Sequence, residues 1–182
     1  GFFLDNVEVG IYSITYRLAI LSSFMLGAFN QMFAPLISKL YHNGQMKKVE
    51  KLYKIITKWI LSFNLIYLSI ILLFGENILQ IFGEVFVTGY FTLVLITIGQ
   101  VANAGVGSAG YINIMTGHPK YELYTNILVL LLNLTMNYIL IPIYGIEGAA
   151  IASLLSIVIT NLIKLGLLYR THNIHPYNHE YI

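Results

Sequence analysis

The charged residues of this chain fall in short clusters and leave five long runs with no charge at all: Leu18–Ser38, Trp59–Gly75, Val85–Pro119, Leu123–Ile146 and Gly148–Ile163. About 20 apolar residues in a helix, rising 1.5 Å each, cross the hydrocarbon core of a bilayer. The first and fourth runs meet that length directly. The second gains length from a basic amphipathic stretch upstream, and the fifth by continuing past Lys164 to Tyr169 with the lysine snorkelling toward the interface. The third is 35 residues long. As one straight helix it would measure ~52 Å, so it reads as a single span with an interfacial lead-in, bent near its glycines. The pattern predicts an all-α integral membrane protein with five transmembrane helices, near residues 11–38, 50–75, 86–116, 121–142 and 146–169.

Composition points the same way. Charged residues make up 10% of the 182 residues, hydrophobic residues 57%, and the mean hydropathy is +0.74. A soluble domain carries roughly 25% charged residues. This balance excludes a soluble enzyme, a disordered segment and a nucleic-acid binder. The absence of cysteine excludes disulfides, cysteine-based zinc sites and thiol catalysis.

The placement of charge predicts orientation. Lys39, Lys47, Lys48, Lys51, Lys54 and Lys58 share one segment with Glu50 alone, Lys120 lies in the next loop on that side, and Lys164 and Arg170 flank the end of the last helix. The opposite loops hold Asp5, Glu8, Glu76, Glu84 and Glu147, and no Lys or Arg. The positive-inside rule places the basic side in the cytoplasm, the N-terminus outside and the C-terminus inside. Within the basic segment, Met46, Val49, Tyr53 and Ile56 share one helical face while Lys47, Lys51, Lys54 and Lys58 share another. This predicts a helix lying at headgroup level before the second span, its lysines serving as a topology anchor or binding anionic membrane lipids. Gly1–Gly10 has neither an initiator Met nor a signal-peptide pattern. It reads as an extracytoplasmic loop already under way, so the chain is expected to be the C-terminal part of something larger. Residues 171–182 read as a short, loosely held polar tail.

No motif points to catalysis. Gly105, Gly107 and Gly110 match G-x-G-x-x-G, but a dinucleotide site needs that pattern between a strand and a helix. Inside an apolar span these glycines suit close packing and bending, as does Pro35. His172, His175 and His179 crowd the tail, where Pro176 prevents a shared helical face, so no metal site is expected. There is no nucleophile–base pair or carboxylate pair, and no cofactor is implied.

Polar residues inside the spans remain. Arg17 lies within the first helix, where a charge is costly unless it faces a cavity or snorkels to the outer headgroups. Amides recur at Asn30, Gln31, Asn64, Gln100, Asn103, Asn113, Asn133, Asn137 and Asn161. One such amide commonly bonds a neighbouring helix. So many suit a hydrated cavity that handles sugars or phosphates.

Several stretches carry a resemblance. Val9-Gly10-Ile11-Tyr12-Ser13 leading to Tyr16-Arg17-Leu18, then Phe33-Ala34-Pro35-Leu36-Ile37-Ser38 before a basic loop, resembles the start of the C-terminal half of bacterial polysaccharide flippases. Thr116-Gly117-His118-Pro119-Lys120 is similar to a short cytoplasmic turn of that family. The segment from Asn137-Tyr138-Ile139-Leu140-Ile141-Pro142 through Gly145, Gly148, Ala149, Ala150 and Ala152 resembles its most distinctive signature. The last motif is fairly specific to the multidrug/oligosaccharidyl-lipid/polysaccharide exporter superfamily, and the resemblance covers roughly residues 7 to 170. It implies a two-lobed transporter of lipid-linked oligosaccharide in the bacterial cytoplasmic membrane, carrying undecaprenyl-pyrophosphate-linked sugars outward by alternating access. Residues 1–170 would form most of the C-terminal lobe, with the N-terminal lobe as its partner. Arg17 would hold the pyrophosphate, and Asn30, Gln31, Gln100, Asn103, Asn133 and Asn137 would line the substrate cavity. A sister exporter of drugs or small solutes, and a non-catalytic structural membrane subunit, are the competing expectations. With no acid placed deep in a span by this reading, no carboxylate is expected to couple an ion.

Overall fold

The computed structural model describes residues 4–177. Among them the regular structure is helical throughout, and four helical segments are long and apolar enough to cross a membrane: Asn6–His42, Met46–Gln80, Glu84–Val106 and Pro119–His172. The chain is an all-α membrane protein.

The first segment begins as α1 (Asn6–Ile20), earlier than the uncharged run would place it. The cause is a capping box: Asp5 Oδ1 accepts from the Glu8 N–H at 2.7 Å, and Glu8 Oε2 accepts from the Asp5 N–H at 3.2 Å. A tight 3₁₀ turn at Leu21–Ser23 separates α1 from α2 (Phe24–His42). That turn, and not Pro35, carries the irregularity of the segment, since α2 runs helical through Pro35. Two side chains of α3 (Met46–Gln80) support the turn from across the interface. Tyr67 Oη donates to the Leu18 carbonyl at 2.6 Å, and Asn64 Nδ2 donates to the Ser22 carbonyl at 3.3 Å.

Helix α3 is one continuous helix of 35 residues, ~52 Å long, so the basic stretch does not lie flat before turning into the span. Its apolar face faces protein and not lipid. Val49, Tyr53 and Ile56 are all but fully buried, the first two in a core cluster with Ile37, Val106, Ala109, Ile112, Leu168 and Ile174. A 3₁₀ turn (Glu84–Gly89) leads into α4 (Tyr90–Val106), and α5 (Ala109–Met115) follows. The break between α4 and α5 falls at Gly107, with φ 62° and ψ −136°.

The last segment, α6 (Pro119–His172), holds 54 residues, about 81 Å if it were straight. It is not straight. Gly145 adopts φ 56° and ψ −134°, a conformation open to glycine, and Pro142 lies within the same turn. The arms 119–144 and 146–172 fold back on each other. Ser156 Oγ lies 4.0 Å from Met136 Sδ, and Lys164 pairs with Glu122, contacts that only an antiparallel hairpin permits. A Cβ on Gly148 would collide with the Leu140 carbonyl, so the close approach of the arms needs glycine there. Each arm is long enough to cross ~30 Å of hydrocarbon.

Two further expectations change. The tail is not loose over residues 173–177, because Ile174 and Pro176 are buried; His179 lies outside the described residues. Lys164 does not snorkel free but is held by Glu122. Large apolar side chains on the outside, among them Leu73, Leu131, Leu134 and Ile143, form the surface expected against lipid.

Candidate functional site

A polar cavity of about 180 Å³ opens where α4 meets the two arms of α6. From α4 come Gln100 and Asn103, from the first arm Asn126, and from the second arm Thr160, Asn161 and Lys164. Each is placed by helical spacing. Gln100 and Asn103 lie one turn apart, as do Thr160 and Lys164, and residues three or four apart share a face. The hairpin at Gly145 then brings the two arms opposite each other.

Hydrogen bonding shows what the cavity offers a ligand. Asn161 Nδ2 donates to Asn103 Oδ1 at 3.0 Å, and the Asn103 amino group makes no hydrogen bond with the described residues. Thr160 Oγ1 donates to the Ser156 carbonyl at 2.7 Å, so its hydroxyl presents lone pairs to the cavity. Gln100 is only 7% exposed and makes no hydrogen bond with the described residues. Lys164 ion-pairs with Glu122 Oε1, both side chains being about one-fifth exposed. Glu122 Oε2 is buried without a partner, in space left open by Gly110, where a Cβ would stand 2.5 Å from that oxygen. A carboxylate at such a place needs its counter-charge. The ammonium still has donors beyond the one Glu122 uses.

The cavity continues into a larger groove of about 590 Å³, with Asn126, Val129 and Ile157 common to both. Tyr12 and Tyr16 of α1 form one wall, their rings stacked with centroids 6.0 Å apart. Asn133 and Ser153 supply polar edges, and Tyr12 Oη lies 3.3 Å from Ser153 Oγ. Asn137 donates to Asn133 Oδ1 at 2.8 Å, which fixes that amide. The whole path runs from Lys164, near the basic ends of the helices, to Tyr12, near their acidic ends.

The structure thus gathers Gln100, Asn103 and Asn133 along one path, places Asn137 behind Asn133 without lining it, and leaves the others elsewhere. Arg17 is exposed beside Tyr16 without lining the groove, ~17 Å along α1 from Asn6. Asn30 is buried on α2 with Oδ1 unpartnered, and Gln31 is exposed beside it. Gly107 carries the α4–α5 break, Gly105 accepts a hydrogen bond at it, and Gly110 makes room for Glu122. The sequence reading missed Glu122, Asn126, Lys164, Tyr12 and Tyr16. A signal was present: Glu122, Asn126, Asn133 and Asn137 fall on one face at helical spacing, and Ser153, Ser156, Thr160 and Lys164 do so on the opposite arm.

Comparison with known proteins gives one point of reference. No family profile matches the chain, and no solved structure matches it. The curated protein named "Probable flippase AglR", from the archaeon Haloferax volcanii, is 25% identical over 174 residues. That alignment covers 92% of this chain and 36% of the relative, so the chain spans about one-third of the relative's length. The chain is therefore a multi-pass membrane protein similar, over nearly all its length, to part of a probable flippase.

Proposed function

We propose that this chain is a lobe of a membrane flippase that moves a lipid-linked oligosaccharide, with its basic helix ends facing the cytoplasm. The observation that carries the reading is the continuous polar path between the helices, from the Lys164 cavity to the Tyr12–Tyr16 wall. Polar side chains are expensive at membrane depth, and a face left wet is one that a cargo or a second lobe uses. Similarity to the archaeal flippase supports the same class. In this mechanism the anionic linkage of the carrier meets Lys164 and the amides of Gln100, Asn103 and Asn126. The sugars lie along the tyrosine wall and Asn133, and the polyprenyl chain stays in lipid. Alternating access comes from this lobe rocking against the N-terminal lobe. The protein transports and does not catalyse.

Arg17 keeps a role in this reading, since it stands exposed beside Tyr16 where the lobes would meet. It would bond phosphate oxygens through its planar fork. Glycan export in cells carrying variants of the full-length gene, normalised to protein in the membrane, tests both groups. Gln100→Ala and the charge-neutral pair Glu122→Gln/Lys164→Gln are expected to reduce export at unchanged abundance. For position 17 the expected order is Arg, then Lys, then Gln or Ala. Full export by Gln100→Ala and by the neutral pair would reject the cavity as the cargo path, and near-normal export by Arg17→Ala would leave that residue an interface anchor.

A further inference from the structure

The break at Gly107 frees carbonyls at the end of α4 from their helical donors, and two of them are bonded by tyrosines. Tyr53 Oη, from α3, donates to the Val106 carbonyl at 2.6 Å. The Gly105 carbonyl is bonded from much farther along the chain, by Tyr177 Oη at 2.7 Å. The path that brings Tyr177 there is built into the end of α6. Asn173 takes the left-handed conformation, φ 56° and ψ 38°, and its N–H caps the Tyr169 carbonyl at 2.7 Å. Asparagine tolerates that conformation at a helix end. The chain then reverses, and Ile174, 2% exposed, enters the core cluster that holds Val106, Ala109 and Ile112 on both sides of the break. Just before the reversal, His172 Nε2 meets Thr116 Oγ1 at 2.9 Å; that hydroxyl already donates to the Ile112 carbonyl, so the imidazole is the donor.

We propose that residues 173–177 are a latch on the Gly107 hinge. Latched, they hold α5 against the end of α4; released, they let α5 pivot about Gly107. Two features of Gly107 suit the pivot this proposal requires. Its backbone lies in the region reserved for glycine. Thr57 Oγ1 stands beside it, buried and without a partner, a donor available to a carbonyl freed by movement. The pivot also bears on the cavity, because the Gly107 N–H bonds the Asn103 carbonyl at 3.1 Å while the Asn103 side chain accepts from Asn161. The inference stands apart from the identity of the cargo.

The chain contains no cysteine, which makes single reporters clean. Ser108, 3% exposed, lies at the hinge, and Ser22, buried in the far turn, is a remote control. The experiment measures alkylation of Ser108→Cys and of Ser22→Cys by a water-soluble maleimide, in membranes containing the full chain. The rate follows the population of open hinge. Tyr177→Phe, which removes one hydroxyl, is expected to raise labelling at position 108 about 2- to 10-fold. Ile174→Ala is expected to raise it about 30-fold or more. Labelling at position 22 stays at its parent rate in both. Unchanged labelling at position 108 in both variants overturns the latch. Equal increases at positions 108 and 22 overturn it as well, since they report general loosening.

Discussion

Glu122 and Lys164 stand on opposite arms of one hairpin, each the other's counter-charge, with Glu122 Oε2 already lacking a partner. Removing either member alone leaves a poorly solvated charge, which costs about 3–5 kcal/mol, whereas removing both is far milder. Glu122→Gln and Lys164→Gln are therefore each expected to lower the thermal midpoint of the purified protein in detergent, and the double variant to recover most of the loss. Additive losses would mean that the two charges do not interact. Gly107 makes a sharper case. An alanine there would hold φ near +62° and drive its Cβ into Thr57 Oγ1. Strain at such a φ alone costs about 1–3 kcal/mol, so Gly107→Ala is expected to be clearly destabilising. Gly27→Ala, with open space around its Cβ and an ordinary helical backbone, is expected to be neutral or slightly stabilising.

At the scale of elements, α3 is the mast of the fold. Its polar side chains meet the carbonyls exposed where neighbouring helices break: Tyr67 and Asn64 at the Leu21–Ser23 turn, Tyr53 at Gly107. In a bilayer no water replaces such donors, so helix breaks are tolerated only where a neighbour supplies them. Tyr53→Phe is expected to cost about 1–3 kcal/mol by leaving the Val106 carbonyl unpaired, and to do so with the helical circular-dichroism signal unchanged at low temperature.

Much of this was legible in the sequence at the level of elements. Uncharged runs mark spans because hydrocarbon excludes charge, and Gly107 and Gly145 hold positive-φ backbone at breaks inside two of those runs. The Val49–Tyr53–Ile56 face was readable as buried, but not what buries it: protein and lipid select the same apolar residues. The cavity was only half legible. Amides announce polarity without direction, so Asn30 and Asn103 look alike until the packing separates the first, on α2, from the second, on α4. The two spans on either side of Gly145 were legible, but pairing Glu122 with Lys164 required the register of one arm against the other, which spacing along either arm does not give.

At the scale of the whole molecule, four segments are long and apolar enough to cross a membrane, the last of them folded in half, and on the proposed function their basic residues, Arg17 excepted, lie toward the cytoplasmic end. Single cysteines introduced at Gln45 and Gly83 should accordingly label from opposite sides of the membrane, position 83 from outside the cell. Labelling of position 45 from outside, with position 83 protected, would invert the orientation. On the proposed function, the polar path carries a lipid-linked oligosaccharide. The most direct measurement is translocation of a fluorescent polyprenyl-linked oligosaccharide in proteoliposomes containing the full-length protein. Transfer between leaflets is expected, slowing about tenfold or more with the neutral pair Glu122→Gln/Lys164→Gln, a loss corresponding to about 1.4 kcal/mol. Transfer at the parent rate in that variant, at equal reconstitution, would contradict the proposed function.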